Sequence, residues 1–217
     1  MMKRILCFGD SNTYGYRPDG LGRYDEKIRW TGRVQEILGR DEYAIIEEGL
    51  CGRTTVFEDE IRPNRKGIDA IRMVIESHNP IDIVFIMLGT NDCKTRYGAS
   101  AGTIAKGIEQ IIETVRQFAG SQTRIVILSP IHLARGVGEE GFDPEFDEKS
   151  VEVSLQLSRE LRKIALSNNC SYLDASTVAK PSETDREHLD EEGHKQLANL
   201  VVDRIRELTE GFYYGII

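Results

Sequence analysis

Residues 81–88 read Ile-Asp-Ile-Val-Phe-Ile-Met-Leu, and this stretch decides the fold. Asp82 is its only polar residue, so apolar side chains occupy both sets of alternating positions. A strand that is apolar on both faces is covered on both faces, as in a parallel sheet between two layers of helices. We therefore predict a buried parallel strand over 81–88.

Short apolar runs alternate with longer amphipathic stretches on both sides of this strand. Such alternation indicates βαβ units with right-handed crossovers. The predicted strands are 4–8, 43–47, 81–88, 124–128 and 170–173. The predicted helices are 31–38, with Thr31 as N-cap, 67–77, 103–118, 146–167 and 191–208. We expect an α/β fold, a three-layer α/β/α flavodoxin-like sandwich with a five-stranded parallel sheet, formed by a single domain over 1–217.

Composition narrows the class of partner. The chain has 217 residues, 40% of them hydrophobic, and a net charge of -8. A nucleic-acid-binding protein needs a basic face, so we expect no nucleic-acid partner. No apolar run approaches the roughly 20 residues of a membrane span, and the N-terminus does not resemble a signal peptide. We therefore expect a cytoplasmic protein with no membrane partner.

Polar and glycine-containing segments follow four of the predicted strands. These segments are Gly9–Ser11, Gly49–Thr54, Gly89–Asp92 and, after a longer loop, Asp185–His188. In parallel α/β sheets, ligands bind outside the carboxyl ends of the strands. We expect all four segments to converge at one edge of the sheet.

These segments contain the residue types that acyl transfer requires. A serine hydroxyl needs an adjacent base, and we predict Ser11 as the nucleophile with His188 as its base. Asp185 is predicted to orient His188 and to stabilise its protonated form. The backbone N–H groups of Ser11 and Gly52 and the side-chain amide of Asn91 are the predicted oxyanion-hole donors. With the ordinary pKa of imidazole, activity is expected to fall below about pH 6.

The same segments resemble the SGNH hydrolases, also called GDSL esterases. Gly9-Asp10-Ser11-Asn12 is similar to the first block of that family, although Asn12 stands where leucine is usual. Gly52 resembles the second-block glycine, Gly89-Thr90-Asn91-Asp92 the third block and Asp185-x-x-His188 the fifth. The resemblance implies a serine esterase with the catalytic residues named above. We expect it to need no cofactor and no metal.

Further segments are similar to a bacterial subgroup of aryl esterases and acyltransferases. They are Arg29–Gly32, Glu47–Leu50, Arg53–Thr55 and Ile86–Gly89. This resemblance implies small carboxylic esters as substrates, possible acyl transfer and a homo-oligomer.

Two other functions remain open from the sequence. A carbohydrate O-deacetylase would use the same residues and differ only in pocket shape. A flavodoxin-like FMN-binding module would instead hold a phosphate on the loop Ser11–Thr13 at a helix N-terminus.

Each candidate residue also has an ordinary structural interpretation. Ser11 could be a helix N-cap, Gly52 a turn glycine and Asn91 an Asx turn. Asp174, at the end of the last strand, is a rival to Asp185 as the triad acid. His132 follows the fourth strand and is a candidate for the pocket lining.

Two irregular segments are candidates for controlling access to the site, or for contacting a neighbouring subunit. They are the loop 12–30 and the insertion 134–146. Asp10 and Asp92 are interpreted as structural residues that hold their turns. Further candidates for the pocket wall are Trp30, Arg53 and Lys94.

Overall fold

A single parallel sheet forms the centre of the molecule. The computed structural model describes residues 2–210. The strands are β1 (Lys3–Gly9), β2 (Tyr43–Gly49), β3 (Ile83–Met87), β4 (Arg124–Ser129) and β5 (Ser171–Asp174), and their order is β2-β1-β3-β4-β5. All four pairings are parallel, as predicted. Gly9 is level with Gly49 of β2 and with Met87 of β3, so these three strands end together.

Helices cover both faces of this sheet. They are α1 (Ser11–Tyr14), α2 (Trp30–Leu38), α3 (Gly67–His78), α4 (Ala101–Ala119), α5 (Glu148–Ser167) and α6 (Glu191–Glu210). Alternate residues of β3 point into two separate cores. Val84 and Ile86 belong to the core that α3, α4 and α5 cover, whereas Phe85 belongs to the core that α2 and α6 cover. This arrangement is the predicted three-layer sandwich.

The apolar run that predicted the fold is longer than the strand it forms. Asp82 accepts a hydrogen bond from the backbone N–H of Arg4 through its side chain, and β3 begins only at Ile83. Gly89 adopts a φ of 128°, which turns the chain just after the strand. Ile81 and Leu88 lie outside the ladder but are buried.

Three helices start at other residues than predicted, and at two of them the side chain just before the helix makes the cap. Helix α2 begins at Trp30, and Thr31, the predicted N-cap, is buried inside its first turn. Helix α4 begins at Ala101 because Ser100 caps it, and α5 begins at Glu148 behind a capping box formed by Asp147 and Ser150.

The predicted domain range 1–217 includes residue 1 and residues 211–217, which lie outside the described residues. Within 2–210, no helix is both long and apolar enough to cross a membrane.

Candidate active site

Three side chains that are distant in the sequence form one hydrogen-bonded chain. The hydroxyl Oγ of Ser11 lies 2.8 Å from Nε2 of His188. On the other side of the imidazole, Nδ1 lies 2.7 Å from Oδ2 of Asp185. Ser11 follows β1 directly, and the other two residues lie in the loop before α6. The fold therefore brings together the three residues predicted as a triad.

The loop around His188 is shaped by Asp185 itself. Its Oδ1 atom accepts hydrogen bonds from the backbone N–H groups of Glu187, at 3.1 Å, and of His188, at 3.0 Å. Arg186, between Asp185 and Glu187, has a φ of 63°, a left-handed conformation that is uncommon for residues other than glycine. One carboxylate thus holds both the imidazole ring and the backbone that carries it.

Asn12 connects the serine turn to the histidine loop. Its Oδ1 accepts a hydrogen bond of 2.9 Å from the N–H of Leu189, and its Nδ2 donates to the carbonyl of Glu187 at 3.4 Å. These two backbone groups flank His188 on either side. Asn12, which stands where the SGNH hydrolases usually have leucine, therefore joins the serine turn to the histidine loop.

Asp10 holds the turn that presents Ser11. It is buried, and its side chain accepts a hydrogen bond from the N–H of Asn12, so Asp10, not Ser11, caps helix α1. Burial raises the pKa of Asp10 to about 7 despite that hydrogen bond and the nearby His188. The structural role predicted for Asp10 is confirmed, and Ser11 is not the N-cap.

A cavity of about 490 Å³ opens beside the hydroxyl of Ser11. Both irregular segments line it, through Tyr16 and Pro18 of the loop 12–30 and through 141–144 of the insertion 134–146. The Tyr16 ring lies 4.8 Å from the His188 ring. Both segments therefore lie at the cavity, and their control of access to it stays a prediction.

Gly52 and Asn91 line the same cavity, next to Ser11. Gly52 has a φ of 82°, and a Cβ atom there would lie 3.0 Å from the guanidinium of Arg62. The Asn91 amide donates one hydrogen bond of 3.2 Å to the carbonyl of Arg53, which orients the amide and leaves its second N–H free for another acceptor. Within residues 2–210, the backbone N–H groups of Ser11 and Gly52 have no acceptor.

Negative charge surrounds the imidazole. Burial lowers the pKa of His188, but the carboxylates of Glu187 and Asp185 outweigh it and raise the pKa to about 9. Burial also raises the pKa of Glu187, against the opposing effects of His188 and Lys94. The protonated imidazole is therefore well stabilised in this site.

A buried lysine faces the same cavity. Lys94 is 2% exposed, and its Nζ lies 2.5 Å from Glu145. Burial and the nearby Arg62 lower the pKa of Lys94 to about 8. Lys94 is confirmed as a residue of the cavity wall.

Other predicted neighbours of the site lie elsewhere. Trp30 is buried in the core and donates a hydrogen bond from Nε1 to the carbonyl of Asn12. The Arg53 guanidinium donates to backbone carbonyls, including that of Gly9. Neither residue lines the cavity. His132 does not line it either. Asp174 caps a short 3-10 turn and binds Ser176, so it is not the rival acid.

Asp92 has the structural role that the sequence predicts for it. It is buried, and its carboxylate accepts hydrogen bonds from the N–H and the hydroxyl of Thr55. Burial outweighs these bonds and raises the pKa of Asp92 to about 6. Asp92 therefore ties the loop after β3 to the loop after β2.

Sequence reasoning did not single out several cavity residues, among them Tyr16, Phe142 and Glu187. Glu187 stands between two predicted triad members, so the motif itself was the available signal. Neither aromatic residue lies in a recognisable motif.

The sequence profile of the GDSL-like lipase/acylhydrolase family matches residues 7–196, which include every residue of the hydrogen-bonded chain. The chain belongs to this family. A GDSL-like acylhydrolase is a carboxylic ester hydrolase, which decides against the alternative of an FMN-binding module.

Solved structures of GDSL-like relatives share the fold over nearly the whole chain. One is 39% identical with a TM-score of 0.92, and covers 96% of this chain and 99% of its own. A carbohydrate acetylesterase family member from Sinorhizobium meliloti is 32% identical with a TM-score of 0.89, over 96% of this chain and 100% of its own. The native aryl esterase of M. smegmatis is 30% identical with a TM-score of 0.86, over 95% of this chain and 99% of its own. A comparison with curated protein sequences finds no match.

Proposed function

We propose that this GDSL esterase cleaves small carboxylic esters through an acyl-enzyme formed on Ser11. His188 is the general base and Asp185 orients it. The observation that carries the proposal is the pair of hydrogen bonds, 2.8 Å and 2.7 Å, that joins the three side chains.

The first half of the reaction forms the acyl-enzyme. Ser11 Oγ attacks the ester carbonyl while Nε2 of His188 takes the hydroxyl proton. The Asp185 carboxylate stabilises the resulting imidazolium through Nδ1. The C–O bond to the alcohol then breaks, and Nε2 returns the proton to the leaving oxygen.

The second half releases the acyl group. Water replaces the alcohol beside His188, loses a proton to Nε2 and attacks the acyl carbonyl. The bond between the acyl carbon and Ser11 Oγ then breaks, and Nε2 returns the proton to Oγ, which regenerates the hydroxyl. A second alcohol in the position of this water would give acyl transfer instead of hydrolysis.

Three donors are proposed to hold the oxyanion of both tetrahedral intermediates. They are the N–H groups of Ser11 and Gly52 and the second N–H of Asn91. A donor that is already oriented before the reaction contributes about 2.7–4 kcal/mol to lowering the barrier. The hydrogen bond from Asn91 to the Arg53 carbonyl supports such orientation.

The substrates are proposed to carry acetyl or other short acyl groups. The similarity to a protein named an aryl esterase supports an aryl alcohol, and the similarity to a carbohydrate acetylesterase family member supports a carbohydrate. Carbohydrate O-deacetylation is the second candidate, because charged side chains of both signs line the cavity.

A fluorophosphonate probe followed by mass spectrometry tests the proposal. We expect the label on Ser11 and no labelling of Ser11→Ala, which should also lose nearly all hydrolysis of p-nitrophenyl acetate. The control is Ser167→Ala, which removes an exposed hydroxyl from the end of α5 and should react as the wild type does. Substantial esterase activity in Ser11→Ala would refute the assignment of the nucleophile.

The homo-oligomer and the cytoplasmic location inferred from the sequence stay predictions. Size-exclusion chromatography with light scattering tests the first, and a monomer at all concentrations would contradict it.

A further inference from the structure

Glu187 places a second carboxylate beside the reacting end of the imidazole. One of its oxygens, Oε1, lies 3.7 Å from Nε2 of His188, on the side of the ring opposite Asp185. Glu187 is only 7% exposed, and the surface that it does expose lines the cavity. The mechanism above assigns no role to this carboxylate.

The carboxylate of Glu187 also lacks a hydrogen-bond donor. Within residues 2–210, neither of its oxygens accepts a hydrogen bond, and the only cationic contact is the longer one to His188. Glu187 lines the cavity, so a donor that enters the cavity can reach its carboxylate. Its free oxygens therefore suit a donor that arrives with the substrate.

The position of Nε2 tells which part of the substrate this donor belongs to. In the proposed mechanism, Nε2 protonates the leaving alcohol oxygen, which must lie about 2.6–3.2 Å from it. The oxyanion faces Gly52 and Asn91 instead. A carboxylate 3.7 Å from Nε2 therefore lies next to the alcohol portion, close to the carbons that follow the ester oxygen.

The remaining charges of the wall favour a hydroxyl group over an ammonium group as the donor. Lys94 and Arg62 line the cavity together with Glu187 and Asp143. A hydroxyl can donate to a carboxylate and accept from a lysine, whereas an ammonium group can only donate. Neighbouring hydroxyl groups would satisfy both kinds of side chain.

We propose that Glu187 is a specificity-determining residue, which accepts a hydrogen bond from a hydroxyl of the substrate's alcohol portion and so selects acyl esters of polyols and sugars. The inference rests on the proposed function, because it uses the position of the leaving alcohol in that mechanism. It adds the side chain that distinguishes a hydroxylated alcohol from a plain one.

Two acetate esters that differ only in hydroxyl groups test this assignment. Glycerol monoacetate and propyl acetate share a three-carbon alcohol, and acetate release gives kcat/KM for each. We expect the wild type to prefer the glycerol ester. In Glu187→Leu, the ratio of the two kcat/KM values should fall by about tenfold or more, as expected when a hydrogen bond to a charged group is lost. Glu187→Gln, which keeps an acceptor oxygen, should lose less.

The control is Glu183→Gln, which removes an exposed carboxylate of the same loop outside the cavity and should leave the ratio unchanged. Fluorophosphonate labelling of Ser11 in each variant shows that the site is folded. A ratio that stays within about twofold in labelled Glu187→Leu overturns the proposal, whether or not both rates fall together. Failure of the wild type to label at Ser11 would instead refute the proposed function.

Discussion

His188 and His194 lie six positions apart in the sequence and are both buried, yet their surroundings are opposite. Around His188 stand the carboxylates of Asp185 and Glu187, which raise its pKa to about 9 against the effect of burial. Burial lowers the pKa of His194 to about 3, and Arg33, His188 and Arg29 add to the decrease.

The hydrogen bonds of the two imidazole rings differ as their charged surroundings do. His194 accepts the backbone N–H of Trp30 at Nδ1, at 3.3 Å, and lies edge-on to the Tyr24 ring at 5.4 Å. His194 therefore stays neutral and serves packing. His188 has a partner for its proton on each side, so its charge can change during a reaction. Similar burial thus gives two different roles, and the neighbouring charges decide which.

The largest expected effect comes from substituting each of the two histidines in turn. His188→Ala should lower kcat for p-nitrophenyl acetate by roughly 10⁴-fold or more, because Ser11 loses its base. His194→Gln, which can still accept the Trp30 N–H, should retain activity within about tenfold, since His194 takes no part in proton transfer. Comparable losses in both variants would show that the two rings are not divided between chemistry and packing.

Asn91→Ala separates the oxyanion hole from the charge around His188. The substitution removes a neutral donor and leaves every carboxylate near the imidazole in place. We expect kcat to fall by about 10²–10³-fold with the acid limb of the pH profile unmoved. Asn199→Ala, an exposed amide on α6, is the matched control. An unchanged kcat in Asn91→Ala would remove this residue from the oxyanion hole.

The pH profile tests the carboxylates around His188 directly. The base must be neutral to accept a proton, so a raised pKa means that kcat/KM increases with pH through the neutral range. We therefore expect the acid limb of the profile at a higher pH than the value near 6 expected from the sequence. In Glu187→Gln, the negative charge that raises this pKa is absent, and the limb should move to lower pH. An identical limb in both proteins, measured with p-nitrophenyl acetate, would contradict the assignment.

The smallest effect concerns stability at acid pH. The pKa of His194 is about 3 in the folded protein and 6.5 in the unfolded chain. As the pH falls, the unfolded chain therefore binds this proton well before the folded protein does. Between these values His194 reduces the free energy of unfolding by up to about 1.4 kcal/mol per pH unit. His194→Gln should therefore lose stability less steeply than the wild type from pH 6 to pH 4, as measured by urea unfolding. Parallel curves would show that His194 is not held neutral.

Predictions from the sequence succeeded where the order of residues within one short segment determines the structure. The apolar run 81–88 predicted a doubly covered strand, because burial on both faces leaves no polar position. The spacing of Asp185 and His188 allowed their contact, since three residues span one turn of a loop. Helix starts were less accurate. Helix α2 starts at Trp30 without a side-chain cap, and α4 starts at Ala101 because Ser100 caps it.

Other features of the site have no local signal. Asn12 reaches Leu189 across 177 positions, and Tyr16 stacks near His188, only because β1 ends beside the loop before α6. The sequence by itself determined the sheet and the helical layers, which follow from hydrophobic periodicity. The proposed reacting residues came from motifs at strand ends. Only the tertiary structure decided that Glu187 faces the cavity and that His188, not His194, stands among carboxylates. The physical reason is that a pKa and an unpaired charge depend on distances between chain segments, which periodicity does not encode.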